Sequence, residues 1–515
     1  MATGNHTLPL ALLAVATVSV LSGCDSSTDS NSSADSGACD ERVNDTRQDL
    51  LECVTLDGVR QHQLALQAVA DANGGNRQAG TSGYDDSVGY IVDVLVSAGY
   101  TPELNEFDFT FQPPSTLAQT LPTVTDHETA AFRGSGFGTV DGRVIPVDLS
   151  LNDPASSSSG CELQDFTGLD FSGPNDIALI QRGSCFFSVK AANAQSVGAE
   201  AVVIMNQGTP GQTELIVASV TTLPDGSPSG LTIPVVGASF ASGISLAQTG
   251  SEALVNTPRP IETTQVNVLA ELPGADPGNV VMVGGHLDSV GSGPGIQDNG
   301  SGSAAILETA VQMSRVIPRN TVRFAWWGAE ESGLVGSNAY VTGLSSNDRD
   351  RIALYLNFDM IGSPNHVFFI YDGDDSDGVG AGPGPTGSAE IEALFEEYYT
   401  QVGAPYRGTD FTGRSDYGPF IAFGIPAGGL FTGAEGIKTP DEAALWGGTA
   451  GEKYDPCYHL ACDTFDNINL SALEINSDAV AYATLHYAMS AESISGQRVK
   501  GDFELPGAAA EAILE

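Results

Sequence analysis

VVMVGGHLD (280–288) and TVRFAWWGAEE (321–331) are two apolar runs that each stop on side chains able to carry charge. Unbroken apolar stretches of this kind, rich in Val and aromatic residues, predict strands buried on both faces, as in the middle of a parallel sheet. Each is followed by a helical pattern, SGSAAILETAVQMSRV (301–316) and GLVGSNAYVTGL (333–344). A third strand, ALYLNFDMIG (353–362), precedes the helical EIEALFEEYYTQVG (390–403), and SALEINSDAVAYATLHYAMS (471–490) closes the pattern as a helix. This alternation predicts an α/β fold with a mixed, largely parallel sheet sandwiched by helices.

Functional groups in such sheets collect at the carboxyl ends of strands. Here His286 and Asp288 end the first strand, Glu330 and Glu331 the second, and Asp359 lies near the end of the third. Asp298 falls in the glycine-rich GSGPGIQDNGSGS (291–303), and Tyr458-His459 in the cysteine-bounded CYHLAC (457–462). Imidazole nitrogen and carboxylate oxygen are donors that zinc takes readily, and two ions sharing a carboxylate and a hydroxide suit hydrolysis. Two adjacent buried carboxylates repel unless a cation or proton compensates. One of Glu330 and Glu331 can therefore hold metal while the other takes a proton from water.

On the N-terminal side, residues 40–112 carry helical patterns. DDSVGYIVDVLVSAGY (85–100) places Val88, Ile91, Val92, Leu95 and Val96 on one face and ends at Gly99. Residues 113–262 differ in character, being rich in Pro, Gly, Ser and Thr with short β-branched runs such as DIALIQRG (176–183) and EAVVIMNQ (200–207). They read as a strand-rich module inserted between 40–112 and 263–495, with an uninformative tail at 496–515.

The first 24 residues read as a lipoprotein-type signal peptide. The apolar run Leu8–Leu21 is short for a membrane span, and Leu21-Ser22-Gly23-Cys24 offers small residues before a cysteine that can take lipid. The n-region departs from the pattern in having no Lys or Arg. Residues 25–39 form a flexible polar tether. Seven cysteines leave six beside Cys24, and local spacing favours Cys39/Cys53, Cys161/Cys185 and Cys457/Cys462 among the fifteen pairings open to them. An even remainder fits disulfides in an exported chain. Acids outnumber bases 64 to 20 over 515 residues, for a formal net charge of −44. Such a surface repels nucleic acid and anionic lipid, leaving membrane attachment to a lipid on Cys24.

With these motifs in view, the chain resembles the zinc aminopeptidases of the M28 peptidase family, in particular the Streptomyces-type leucine aminopeptidases. The resemblance is carried by NGGNRQAGTSGYDDSVGYIVDVLVSAGY (73–100), GGHLDSV (284–290), GIQDNGSGSAA (295–305), RFAWWGAEESGLVGS (323–337), LNFDMIGSPN (356–365), GRSDYGPF (413–420), GGLFTGAE (428–435), ALWGGTAG (444–451) and YDPCYHLACDT (454–464). It implies a zinc exopeptidase fold with two Zn2+ per chain. Asp298 bridges them, His286 and Asp359 bind one ion, Glu331 and His459 the other, and Glu330 is the general base. It further implies that Asp288 orients His286, that Tyr458 donates a hydrogen bond to the scissile carbonyl or oxyanion, and that Arg414 with Glu330 and Asp359 holds the substrate terminus. A cis peptide is implied at Asp298-Asn299. The insert resembles a protease-associated (PA) domain at DIALIQRGSCFFSVKAANAQSVGAEAVVIMNQ (176–207) and LTIPVVGAS (231–239), which implies a lid or interaction module without chemistry of its own.

Ca2+ is a second candidate cofactor. YDGDDSDGVGAG (371–382) fails the EF-hand pattern because Pro383 stands where a Glu is needed, but Glu474 and Asp478 match two calcium-binding acids of some relatives. His62, His127, His366 and His486 fit packing or surface roles. The expected function is an exported enzyme, in the cell envelope or secreted, that removes apolar, Leu-like residues from peptide or protein N-termini. A carboxypeptidase needs basic residues for a terminal carboxylate, and only Arg414 offers itself. A glutaminyl cyclase uses one zinc, against a full set of five ligands. An inactive binding protein would have no use for Glu330.

Overall fold

A computed structural model describes residue 39, residues 41–380 and residues 382–495. The expected signal peptide with Cys24, the tether before Cys39 and the tail 496–515 lie outside the described residues. The strands, in chain order, are β1 (Glu103–Phe111), β2 (Thr116–Leu121), β3 (Thr125–His127), β4 (Gly138–Val147), β5 (Ile177–Gln181), β6 (Ala201–Met205), β7 (Val235–Ala238), β8 (Glu252–Thr257), β9 (Ile261–Leu272), β10 (Asp276–His286), β11 (Asn320–Trp327), β12 (Ile352–Phe358), β13 (Phe369–Tyr371), β14 (Arg407–Thr409) and β15 (Ala427–Phe431).

They form two sheets. The larger runs β1-β9-β11-β10-β12-β15-β13-β14. Its middle is parallel, β10 pairing with β11 and β12, and β12 with β15, while the β1–β9, β9–β11 and β13–β15 pairs are antiparallel. The apolar runs are continuous because alternate residues enter two cores. Val281, Val283, Phe324, Trp326, Leu354 and Leu356 face one core, which includes the helices Leu56–Ala72, Gly300–Met313 and Leu470–Met489. Val280, Met282, Ala325, Trp327 and Tyr355 face the other, with Tyr340, Phe420 and Ile421. The helix read at 85–100 runs Ser82–Ser97 and buries Val88, Ile91 and Leu95, with Val92 only half-buried. Val96, expected on the same face, is 56% exposed. It follows Leu95 by one residue, about 100° around the helix, and so turns away from the core.

The inserted unit has the order β3-β2-β8-β4-β5-β6-β7. β4 joins its two halves, pairing antiparallel with β8 through Gly138–Arg143 and parallel with β5 through Val144–Val147. The stretches read at 176–183, 200–207 and 231–239 contain β5, β6 and β7. The chain leaves the large sheet at the end of β1 and returns at the start of β9, where Phe111 pairs with Ile261. Both ends of the insert thus meet at one point of one edge ladder, so a whole domain is accommodated without breaking the sheet. Disulfides join Cys39–Cys53, Cys161–Cys185 and Cys457–Cys462. No helix of the described residues is long and apolar enough to cross a membrane.

Lys190 of the inserted unit is fully buried, its ammonium donating to the carbonyls of Ser159 and Gln181. Burial pulls its pKa down to about 8. The folded value lies below the unfolded one, so the cost of keeping this charge inside fades as pH rises from about 8 toward 10.5. Wild-type stability is therefore expected to rise over that window relative to Lys190→Met, measured by urea unfolding at several pH values.

Candidate metal centre

Three strand ends and two loops converge at the carboxyl edge of the large sheet. β10 ends on His286, and β12 ends one residue before Asp359. Gly285 and Gly302 permit the approach. A Cβ on Gly285 would lie 2.4 Å from the Phe358 carbonyl, and one on Gly302 2.1 Å from the same oxygen. Asn299 ties the elements together, donating to the Phe358 carbonyl (2.9 Å) and accepting from the amides of Gly302 (2.9 Å) and Met360 (3.1 Å). The Asp298-Asn299 peptide is cis. Ala329, Met360 and His459, each at or beside one of these side chains, have positive φ of 57°, 56° and 59°. Non-glycine residues held in that region mark sites where the surroundings impose the backbone.

Asp298 is at the middle. Its Oδ1 lies 3.2 Å from His286 Nε2, and its Oδ2 3.2 Å from His459 Nε2. Each imidazole nitrogen has a second carboxylate: Asp359 Oδ1 at 3.2 Å from His286, and Glu331 Oε2 at 3.0 Å from His459. His286, Asp298 and Glu331 present ligand atoms within 4.8 Å of one another. Glu330, adjoining Glu331, is buried at the floor of the same cleft.

The electrostatics ask for positive charge here. Burial raises the Glu330 carboxyl well above its ordinary range, with Glu331, Asp416 and Asp359 adding to the shift. Burial and Asp298 bring Glu331 to about 7. Burial opposes charge on His459, yet Asp298 and Glu331 carry its imidazole up to about 10. Glu331 Oε1 is buried without a hydrogen-bond partner. A donor set of two imidazoles and several carboxylates, with one carboxylate oxygen orphaned, fits the binding of zinc.

Further residues support these groups. Asp288 holds the Nδ1 side of His286 with its backbone carbonyl (3.1 Å), while its carboxylate accepts the amides of Glu330 (3.1 Å) and Glu331 (3.4 Å). One residue therefore fixes both the imidazole and the acidic pair. Ser415 donates to Asp359 Oδ2 at 2.7 Å. Asp463 accepts the amides of Gln297 (2.8 Å) and Asp298 (3.0 Å) on its carboxylate and that of Ile296 on its carbonyl. It follows directly on the Cys457–Cys462 loop, so it clamps the Asp298 loop to the segment bearing His459. Arg77, fully buried, donates to the carbonyls of Leu287, Pro294 and Gly295 and braces the same loop from the other side. Asp463 and Arg77 lie within the motifs at 454–464 and 73–100, but nothing in their spacing singles them out.

The cleft in front of these groups encloses about 150 Å³. Met360, Tyr371, Tyr417, Phe431 and Ala434 line it together with the acids. Tyr458 stacks on His459 with ring centres 3.8 Å apart, and its hydroxyl accepts from Arg414 at 3.4 Å. Arg414 lines the same cleft as Glu330 and Asp359 and pairs with Glu435 at 2.8 Å. Glu474 and Asp478 share the last long helix, where burial, reinforced by Glu474, raises Asp478 to about 7. Among the described residues, neither belongs to a group of three ligating side chains; the other such group is Asp372, Asp374 and Glu392.

The model of Peptidase family M28 matches residues 267–484, and that of the PA domain residues 140–246. The chain is 46% identical over 460 residues to an aminopeptidase of Pseudomonas aeruginosa, covering 87% of this chain and 84% of that one. It is 41% identical over 458 residues to the probable lipoprotein aminopeptidase LpqL of Mycobacterium tuberculosis, covering 87% and 88%. Among solved structures, the aminopeptidase from Aneurinibacillus sp. strain AM-1 superposes with a TM-score of 0.57 at 26% identity, over 90% of this chain and 99% of that one. The chain belongs to peptidase family M28, as an aminopeptidase of that family with a PA domain set between the two parts of its α/β fold.

Proposed function

We propose that this aminopeptidase holds two zinc ions per chain and removes apolar, Leu-like residues from peptide N-termini outside the cytoplasm. The observation that carries the two-ion reading is the position of Asp298, with one oxygen on each of two histidines that each have a further carboxylate of their own. His286 and Asp359 would hold one ion, His459 and Glu331 the other, and Asp298 would serve both. When bound, the ions supply the positive charge that these carboxylates need, lower the pKa of water and polarise the scissile carbonyl.

The residues of the chain do the rest. Glu330, carried on the turn that Asp288 fixes, takes the proton from the attacking water and delivers it to the leaving amine. Tyr458, stacked on the His459 ring, donates a hydrogen bond from its hydroxyl to the developing oxyanion. The substrate's free ammonium is met by Glu330 and Asp359, with Arg414 at the rim holding the backbone. Aromatic and aliphatic walls suit an apolar first side chain. Arg414 is already paired with Glu435, which leaves it ill suited to the carboxylate that a carboxypeptidase must hold. Export is supported by the short apolar N-terminal run, the Leu-Ser-Gly-Cys24 sequence and three disulfides; a lipid on Cys24 would keep the enzyme at the cell envelope.

Leucyl-p-nitroanilide and its N-acetylated form separate the readings. Rapid hydrolysis of the free amine and none of the blocked substrate is expected; equal hydrolysis of both would sink the aminopeptidase reading. Asp463→Ala is expected to lower zinc affinity by about 10–100-fold, the usual cost of losing a group that orients a ligand. Competition with a chromogenic chelator measures it.

A further inference from the structure

Asp359 receives the end of a buried chain of hydrogen bonds whose direction is set at its other end. Trp327 Nε1 donates to the Tyr355 hydroxyl at 2.8 Å. Tyr355 donates to Asn357 Oδ1 at 3.0 Å, Asn357 Nδ2 to Ser415 Oγ at 2.9 Å, and Ser415 Oγ to Asp359 Oδ2 at 2.7 Å. Trp327, Tyr355 and Asn357 are fully buried, and Ser415 is 5% exposed. The Tyr355 ring stacks on Phe420 with centres 4.0 Å apart and planes 4° from parallel, so its hydroxyl is fixed in place.

An indole N–H can donate but not accept. Tyr355, which accepts that bond, keeps its own proton to donate, and Asn357 Oδ1 is the acceptor it meets. The carbonyl oxygen of Asn357 is then engaged, and its amide faces Ser415. Ser415, accepting from the amide, has its proton left for Asp359 Oδ2. The other oxygen, Oδ1, is the one turned toward His286 Nε2 at 3.2 Å. If Asn357 turned over, its carbonyl would draw the Ser415 proton away from Asp359, and its N–H would donate to the Tyr355 hydroxyl oxygen, leaving the buried Tyr355 proton without the acceptor it has in Asn357 Oδ1. In a buried site that mismatch costs about 1–3 kcal/mol.

We propose that Trp327 acts through Tyr355, Asn357 and Ser415 as a positioning device that commits Asp359 Oδ2 to a hydrogen bond and reserves Oδ1 for the ion shared with His286. The inference rests on the two-ion reading above. Its consequence is that deleting the Trp327 donor, four hydrogen bonds away from Asp359, weakens one zinc site and spares the other.

The test is a stepwise zinc titration of Trp327→Phe, Ser415→Ala and the double variant against a competing chelator, with thermal unfolding of the metal-free proteins alongside. Each single variant is expected to weaken one of the two zinc ions by about 10–100-fold. The double variant should bind that ion no more weakly than Ser415→Ala alone, because the whole effect of Trp327 passes through Ser415. Tyr355→Phe, which removes only the hydroxyl, serves in place of Trp327→Phe if the latter fails to fold, with the same expectation. Unchanged affinities in the single tryptophan or tyrosine variant, or losses that add in the double variant, would overturn the relay while leaving the two-ion reading intact. Wild-type protein that takes up fewer than two zinc ions would overturn both.

Discussion

Glu330→Gln is expected to lower kcat by about 10²–10⁴-fold, the usual contribution of a positioned general base, while zinc content stays at the wild-type level. Gln keeps the size of the side chain and its ability to hydrogen-bond, but it cannot take a proton from water. The surrounding structure needs little adjustment, because Asp288 holds this turn through the backbone amides of residues 330 and 331, not through the Glu330 carboxylate. The five proposed ligands are untouched. A loss in kcat with metal retained therefore isolates proton transfer from metal binding. Steady-state kinetics on leucyl-p-nitroanilide with metal analysis of the same sample measures both. Wild-type turnover in this variant would mean that another group accepts the proton.

Asp298→Ala is expected to do what Glu330→Gln does not, lowering the zinc content from two ions to one or none and taking activity to background. The reason is geometric. Each histidine of the centre keeps one other carboxylate in this variant, but the residue facing both is gone. Thermal unfolding supplies a second readout. Ligand that binds only the folded protein stabilises it by about 4 kcal/mol at a thousandfold excess over Kd, so zinc should raise the Tm of metal-free wild type. Asp298→Ala should gain much less. Equal zinc-induced shifts in the two proteins would show that Asp298 does not share the metal.

Much of the site was legible because apolar strands end on it. His286, Glu330, Glu331 and Asp359 each follow an apolar run, and in an α/β sheet such ends lie on one edge. Asp298 and His459 were candidates from their loops, whose course no periodicity dictates; the family resemblance, not the spacing, implied the bridging role of Asp298 and the pairing of His459 with Glu331. Of the residues that hold the ligands, Asp288 was implied by the family resemblance, but Asp463 and Arg77 were silent in the sequence. Asp463 acts by accepting backbone amides, Arg77 by donating to backbone carbonyls, and neither contact depends on the partner's side chain. Asn357 reads as a polar interruption of a buried strand, and Ser415 as an ordinary loop serine; only the fold brings them together behind Asp359. Arg414 shares the cleft with Glu330 and Asp359, but its pairing with Glu435, 21 residues farther along the chain, had no signal in the sequence. In the helix Ser82–Ser97 the apolar pattern was wider than the core it faces, which left Val96 in solvent.

Anomalous diffraction at the zinc edge, from crystals of the zinc-loaded full chain, tests the two-ion centre most directly. Two peaks about 3.5–4 Å apart, one beside His286 and Asp359, the other beside His459 and Glu331, with Asp298 between them, is the predicted result. A single peak at this cleft, or zinc bound only at the Asp372, Asp374 and Glu392 cluster, would contradict it.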